Sequence, residues 1–191
     1  MPDVVKQNLS IYDGLKNIYY ALETKDDSTG TSYETPKKLG HARRAEMTKE
    51  TEVTNVYGDN AAVATRTRLK TITLTIETTD IPLEDQAVLL GHTVDSATGA
   101  ITAKADDNAP YVAILFEATK MTGGSVFYKL YKGKFAETDE SLNTQEDTLE
   151  PTAPSMEGTF IARTYDGSIF TKADSLETKS ASITSAWFDS V

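Results

Sequence analysis

The run ETDESLNTQEDTLEPTAP, residues 137–154, holds six carboxylates before its first proline and no lysine or arginine. Asp139, Ser141, Asn143, Gln145, Asp147 and Glu150 fall at positions 1, 3, 5, 7, 9 and 12 of an EF-hand loop count. Oxygen donors at that spacing are what calcium requires. Position 6, however, is Thr144 where the sharp turn needs glycine, and the flanks read as strand and proline-rich connection instead of helices. The only histidines, His41 and His92, stand in unrelated contexts, a basic loop and a predicted helix C-terminus. There is no nucleophile elbow, phosphate-cradling glycine loop or His-rich metal spacing. Asp26-Asp27 and Asp106-Asp107 sit in polar loops, where ordinary carboxylate behaviour and no acid/base role are expected. No catalytic residue, metal or cofactor is assigned.

The elements around this run are mostly strands. Thr, Val, Ile, Tyr and Phe recur with a two-residue period between Gly, Asp, Asn and Pro, which predicts a mainly β fold of antiparallel sheets. The clearest strand is 61–79, with Ile72, Leu74 and Ile76 on one face and Thr71, Thr73, Thr75 and Glu77 on the other. Residues 45–57 and a Gly-Asp-Asn turn precede it, predicting a long hairpin over 45–79. With a pairing in which residue numbers sum to about 117, Glu46, Glu50 and Glu52 share a face with Thr71, Thr67 and Thr65. Lys49, Arg66 and Arg68 then make the opposite face basic toward the tip. A hairpin polar on both faces at its far end has no core of its own to cover, so it is expected to project.

A second hairpin is predicted from 111–120 through Gly123-Gly124 to 125–135, and the strand pattern resumes at 156–164 with a turn at Asp166-Gly167. The acidic run is thus a connection between strands of about 20 residues, long for a compact domain. One short helix is expected after Pro82, with Glu84 and Asp85 in its first turn and Gly91 closing it. A second is expected at the C-terminus, with Ile183 and Trp187 on one face. Residues 24–38 read as a surface loop leading to the basic cluster Lys37, Lys38, Arg43 and Arg44.

A chain of 191 residues suits a single domain, 1–191, with an N-terminal arm over 1–14 and the acidic connection over 137–155. With no cysteine, its stability rests on packing or oligomerisation. The start carries no apolar core of signal-peptide length and no stretch reaches about 18 apolar residues, so a soluble, cytoplasmically made chain without membrane attachment is expected. A formal charge of −10 makes sequence-independent attraction to nucleic acid unfavourable.

The sequence resembles the phage major tail proteins, the tail tube subunits of long non-contractile tails. The likeness runs from GLKNIYYALETKDD through TPKKLGHA and PYVAILFEATK to YKLYKGKFAETDESLNTQEDTLEPTAPSMEGTFIAR and the closing SAWFDSV. It implies two packed antiparallel sheets, sandwich- or barrel-like, with a short flanking helix and a short C-terminal one. It implies six copies in a ring, rings stacked into a virion tail tube, and a lumen through which the genome passes without specific binding. Other partners it implies are the tail terminator, the initiator or distal tail protein and the tape measure protein. It further implies synthesis in the bacterial host cytoplasm.

On this reading Glu46, Glu50, Glu52, Thr67, Thr71 and Thr73 are candidates to line the lumen. Lys37, Lys38, Arg43, Arg44, Tyr57, Arg66 and Arg68 are candidate subunit contacts, facing Asp139, Glu140, Glu146, Asp147 and Glu150 of a neighbouring copy. The alternative is a β-sandwich binding module for carbohydrate, using exposed aromatics such as Tyr57, or one dependent on calcium in the acidic loop.

Overall fold

The computed structural model describes residues 11–138 and 153–191. The strands, in chain order, are β1 (Tyr12–Asp27), β2 (Gly30–Tyr33), β3 (Lys37–Lys38), β4 (Ala42–Gly58), β5 (Ala61–Thr78), β6 (Thr93–Val94), β7 (Ile101–Thr102), β8 (Val112–Lys120), β9 (Ser125–Ala136), β10 (Ser155–Ile161) and β11 (Phe170–Asp174). Helix α1 (Leu83–Leu90) follows β5, and a 3-10 turn, Thr178–Ser180, leads into α2 (Ala181–Thr184). The fold is mainly β, as expected, with two antiparallel sheets and two short helices. The sheets are unequal. One has nine strands in the order β2-β1-β8-β9-β10-β5-β4, with β3 added to β1 and β11 to β9; the other is the β6-β7 pair.

Alternation in β5 explains where the core lies. Ile72, Leu74 and Ile76 are fully buried and meet Ile114, Phe116, Tyr128, Leu130, Phe160 and Ile18 from the other strands. Strands β1 and β4 stand far apart in the sheet order yet approach one another, so the sheet curls around this core without closing into a barrel. Helix α1 lies against the core through Leu89 and Leu90, and its Gly91 cap takes the left-handed conformation that the sequence predicts there.

The next residue along each central strand points the other way. Leu115, Phe127 and Ala173 form a second cluster, covered by Trp187 and flanked by Tyr19 and Phe188. The Trp187 indole N–H donates to the Tyr128 carbonyl at 3.2 Å. The tryptophan is therefore a packing plug, but the predicted helical stripe is corrected: α2 ends at Thr184, Trp187 is buried and Ile183 is exposed.

The reading of 24–38 as a loop is also corrected, because β1 runs to Asp27 and turns back as β2. Its alternation is broken by Asn17, at φ 53°, whose side-chain amide donates to Glu117 Oε1 at 2.9 Å across a register shift. Tyr12–Gly14, read as part of an arm, begin this strand; the arm's residues 1–10 lie outside the described residues.

Between β3 and β4 the chain passes through Gly40 at φ 59°, where a Cβ would lie 2.0 Å from the Asp80 carbonyl oxygen. Left-handed strain and a backbone collision then add, so Gly40→Ala is expected to cost about 3 kcal/mol, read from the urea midpoint.

Candidate assembly surface

The predicted hairpin is β4 and β5, joined by Asp59 and Asn60, both at positive φ (49° and 62°), the pattern of a type I′ turn. Every residue from Thr48 to Arg68 except Gly58 is exposed. The hairpin thus carries no core along most of its length. Among the described residues, strand β4 is also the last of the nine-stranded sheet, paired with β5 on one side only. Its second edge presents unpaired backbone groups to any strand that can complete them.

The register differs from the expected one. Glu46 faces Thr75 in place of Thr71, and Glu50 faces Thr71 in place of Thr67. Beyond Glu50 the ladder slips, because Thr51 pairs with Leu69 and leaves Lys70 as an extra residue on β5. Such a bulge reverses the alternation that follows it. Lys70 Nζ and Thr71 Oγ1 both donate to Glu50, at 3.0 and 2.9 Å, and Glu52 accepts from Arg68 at 3.0 Å. Leu69 turns to the core side and packs against the core, while Thr67 pairs with Val53 on that same side.

The two-face assignment is corrected accordingly. Glu46, Glu50, Glu52, Thr71 and Thr73 stay together, Thr67 leaves them, and Arg66, Arg68 and Lys70 join them. Leu69 was the available signal: strict alternation from Ile72 would have put that leucine on the polar face.

The bulge also sets the electrostatics. Glu46 accepts from Arg44 at 2.6 Å, and Arg44 reaches Glu77 at 3.4 Å. With the Lys70 and Arg68 pairs, each of the three glutamates faces a cation. The hydrogen bond from Lys70, followed by that from Thr71, lowers the Glu50 carboxyl below its ordinary range. These exposed pairs contribute little to stability, but they make the face charge-balanced instead of acidic.

Of the other candidates, Lys37 and Lys38 form β3, beside Tyr20 and Tyr19, and Arg43 and Arg44 open β4. All four are exposed, and among the described residues Arg43 makes no ion pair. Tyr57 lies near the far end of the hairpin, 70% exposed, with Val53, Val56 and Val63 also open to solvent. The structure therefore separates a basic base from an apolar tip. Asp139, Glu140, Glu146, Asp147 and Glu150, and with them the EF-hand count, lie outside the described residues.

Two ionic clusters were not anticipated. Asp26, read as an ordinary loop carboxylate, accepts from Lys132 Nζ at 2.5 Å and from the Thr164 and Tyr165 backbone N–H groups. Burial pushes its carboxyl up, but these bonds prevail and hold it at about 2. Next to it, Arg163 grips Asp166 through two bonds of 2.8 and 2.7 Å and lies over the Tyr131 ring at 3.8 Å. Together they fasten the β1-β2 turn to the β10-β11 loop. The second cluster centres on His92, which bridges Asp107 and Glu137. Both join residues remote in sequence.

The class that this geometry defines is an antiparallel β protein presenting a solvated ribbon and, among the described residues, a long unpaired sheet edge. Among the described residues no three metal-ligating side chains converge. The chain belongs to the phage tail tube protein family, whose model matches residues 4–179. It is thus a structural protein of the phage tail. No curated protein matches it. Among solved structures, the tube-terminating cap of the anti-feeding prophage aligns at a TM-score of 0.45 and 8% identity, over 90% of this chain and 99% of that one. No helix of the described residues is long and apolar enough to cross a membrane.

Proposed function

We propose that the protein is the repeating subunit of the tail tube: copies join into rings, six by family resemblance, and rings stack around a hollow that conducts the genome at ejection. The observation that carries this is the second edge of β4, seventeen residues long and unpaired among the described residues, on a sheet that curls but does not close. A long strand edge invites uncontrolled pairing unless a designated partner covers it, and ring closure by neighbouring copies removes it altogether. The hairpin supports the same reading, since four large apolar side chains at its exposed end are natural contacts for an adjoining ring. The basic base, with Lys37, Lys38, Arg43 and Arg44, is offered to the acidic connection of another copy. Tail terminator, initiator and tape measure proteins meet the ends and interior of such a tube.

In this assembly the face bearing Glu46, Glu50, Glu52, Thr71 and Thr73 lines the lumen. Its paired cations, Arg44 on the same strand and Lys70 and Arg68 across from it, leave a ladder of satisfied charge, so DNA is neither strongly repelled nor held. Replacing the three glutamates by lysine sets new cations against Arg44, Lys70 and Arg68 and creates a strongly positive wall. Glu46→Lys, Glu50→Lys and Glu52→Lys together are expected to impair ejection and infectivity by at least tenfold, whereas unchanged infectivity contradicts the lumen assignment. Electron microscopy of concentrated protein tests the function itself. Rings or tubes are expected; persistent monomers stabilised by calcium or by carbohydrate would favour a binding module.

A further inference from the structure

We propose that His92 is a proton-operated clasp that fixes Glu137, the first residue after β9, when both ring nitrogens carry hydrogen and releases it when one is lost. The inference rests on the ring's two partners. Nδ1 lies 2.8 Å from Asp107 Oδ2 and Nε2 lies 2.5 Å from Glu137 Oε1. Ionised carboxylates only accept, so both contacts are hydrogen bonds only for the imidazolium. A neutral ring has one N–H and must turn a lone pair toward one of the two anions.

The surroundings decide which contact breaks. His92 is held by its own backbone N–H, which donates to the Ala87 carbonyl at 2.8 Å beside the Gly91 cap, and its side chain is only 10% exposed. Asp107 is fixed by the Lys104 backbone N–H at 2.9 Å, and its side chain is 14% exposed. Glu137, by contrast, is 65% exposed at its side chain and lies beyond the last residue of β9. The remaining proton therefore stays on Nδ1 with Asp107, and Glu137 departs.

Asp107 and Glu137 face the ring directly, Lys104 stands beside Asp107, and Lys134 is engaged nearby through Asn108. The hydrogen bond to Asp107 foremost, and after it that to Glu137, raise the His92 pKa against the opposing effect of burial. The clasp's contribution to stability is thus full below the ordinary histidine value of about 6.5 and is lost as pH rises through the raised value. Thr138 Oγ1, donating to the Ser155 carbonyl at 2.8 Å, does not titrate and remains as the second fastening. Opening accordingly frees the Glu137 carboxylate at the entrance to the acidic connection without separating the chain around it.

The test is an NMR titration of the full chain, following the His92 ring and the Glu137 side-chain carboxyl carbon. His92 is expected to titrate above about 6.5, and the Glu137 carboxyl-carbon resonance to move through the same midpoint as its Oε1 loses the ring N–H. Glu137→Gln removes one anion without disturbing a buried group, so it should shift the His92 midpoint down. A His92 midpoint at or below about 6.5 in the unmodified chain, or an unchanged midpoint in Glu137→Gln, overturns the proposal.

Discussion

Replacing residues 53–67 by Asn-Gly is expected to leave a folded subunit that no longer forms tubes. The deletion removes only side chains that are exposed, together with Gly58, and keeps the Glu52–Arg68 pair as the last rung, closed by a turn suited to a two-residue hairpin. Leu69, Ile72 and Leu74, which belong to or touch the core, are untouched. Folding stability should therefore change by less than about 1 kcal/mol. Assembly should fail outright, because Val53, Val56, Tyr57 and Val63 and the distal third of the β4 edge go together. Circular dichroism and thermal unfolding report the first outcome, and electron microscopy the second. A truncated protein that still forms tubes of normal length would remove the hairpin from the assembly surface.

The largest expected loss of stability comes from Phe160→Ala. Phe160 is fully buried on β10, which joins β9 to β5, and its ring meets that of Phe135 edge-on at 6.3 Å. Removing it should cost about 3–5 kcal/mol, read from urea unfolding. The ring also occupies the place where a side chain at position 133 would lie: a Cβ on Gly133 would come within 2.5 Å of it. Gly133→Ala alone should therefore destabilise by about 1–3 kcal/mol and cost clearly less in the Phe160→Ala background. Additive losses would mean that the glycine is there for another reason.

Much of this arrangement was legible in the residues, and what was not has identifiable causes. β5 announced itself because Ile72, Leu74 and Ile76 alternate with threonine, and half-buried alternation has one interpretation. The Gly58-Asp59-Asn60 turn, the Gly123-Gly124 turn and the Gly91 cap were readable because each needs a positive φ that those residues supply easily. β1 was obscured by the kink at Asn17, which throws its buried residues out of step. The slip at Lys70 fell in a stretch of Thr and Arg whose two faces are equally polar, so hydrophobic patterning could not fix the register; Leu69 was the single apolar marker.

The ionic clusters were beyond sequence reasoning for a different reason. Asp26 and Lys132, or His92 and Glu137, become neighbours only when β1, β9 and the segment after α1 have been placed by the core. Nothing in local spacing distinguishes Asp26 from Asp27, yet the one is buried in a network and the other lies at an open turn. The acidic face illustrates the same limit. Three glutamates at spacings of four and two share one face of β4; a one-residue bulge on the opposite strand brings cations to Glu50 and Glu52, while Glu46 pairs with Arg44 of its own strand.

The most direct measurement is a cryo-EM map of tubes grown from this protein, at a resolution that separates strands. The outward edge of β4 should be hydrogen-bonded to a strand from the adjoining copy, so that the sheet continues around the ring. A tube in which that edge faces solvent, or is covered by its own chain, would contradict the account.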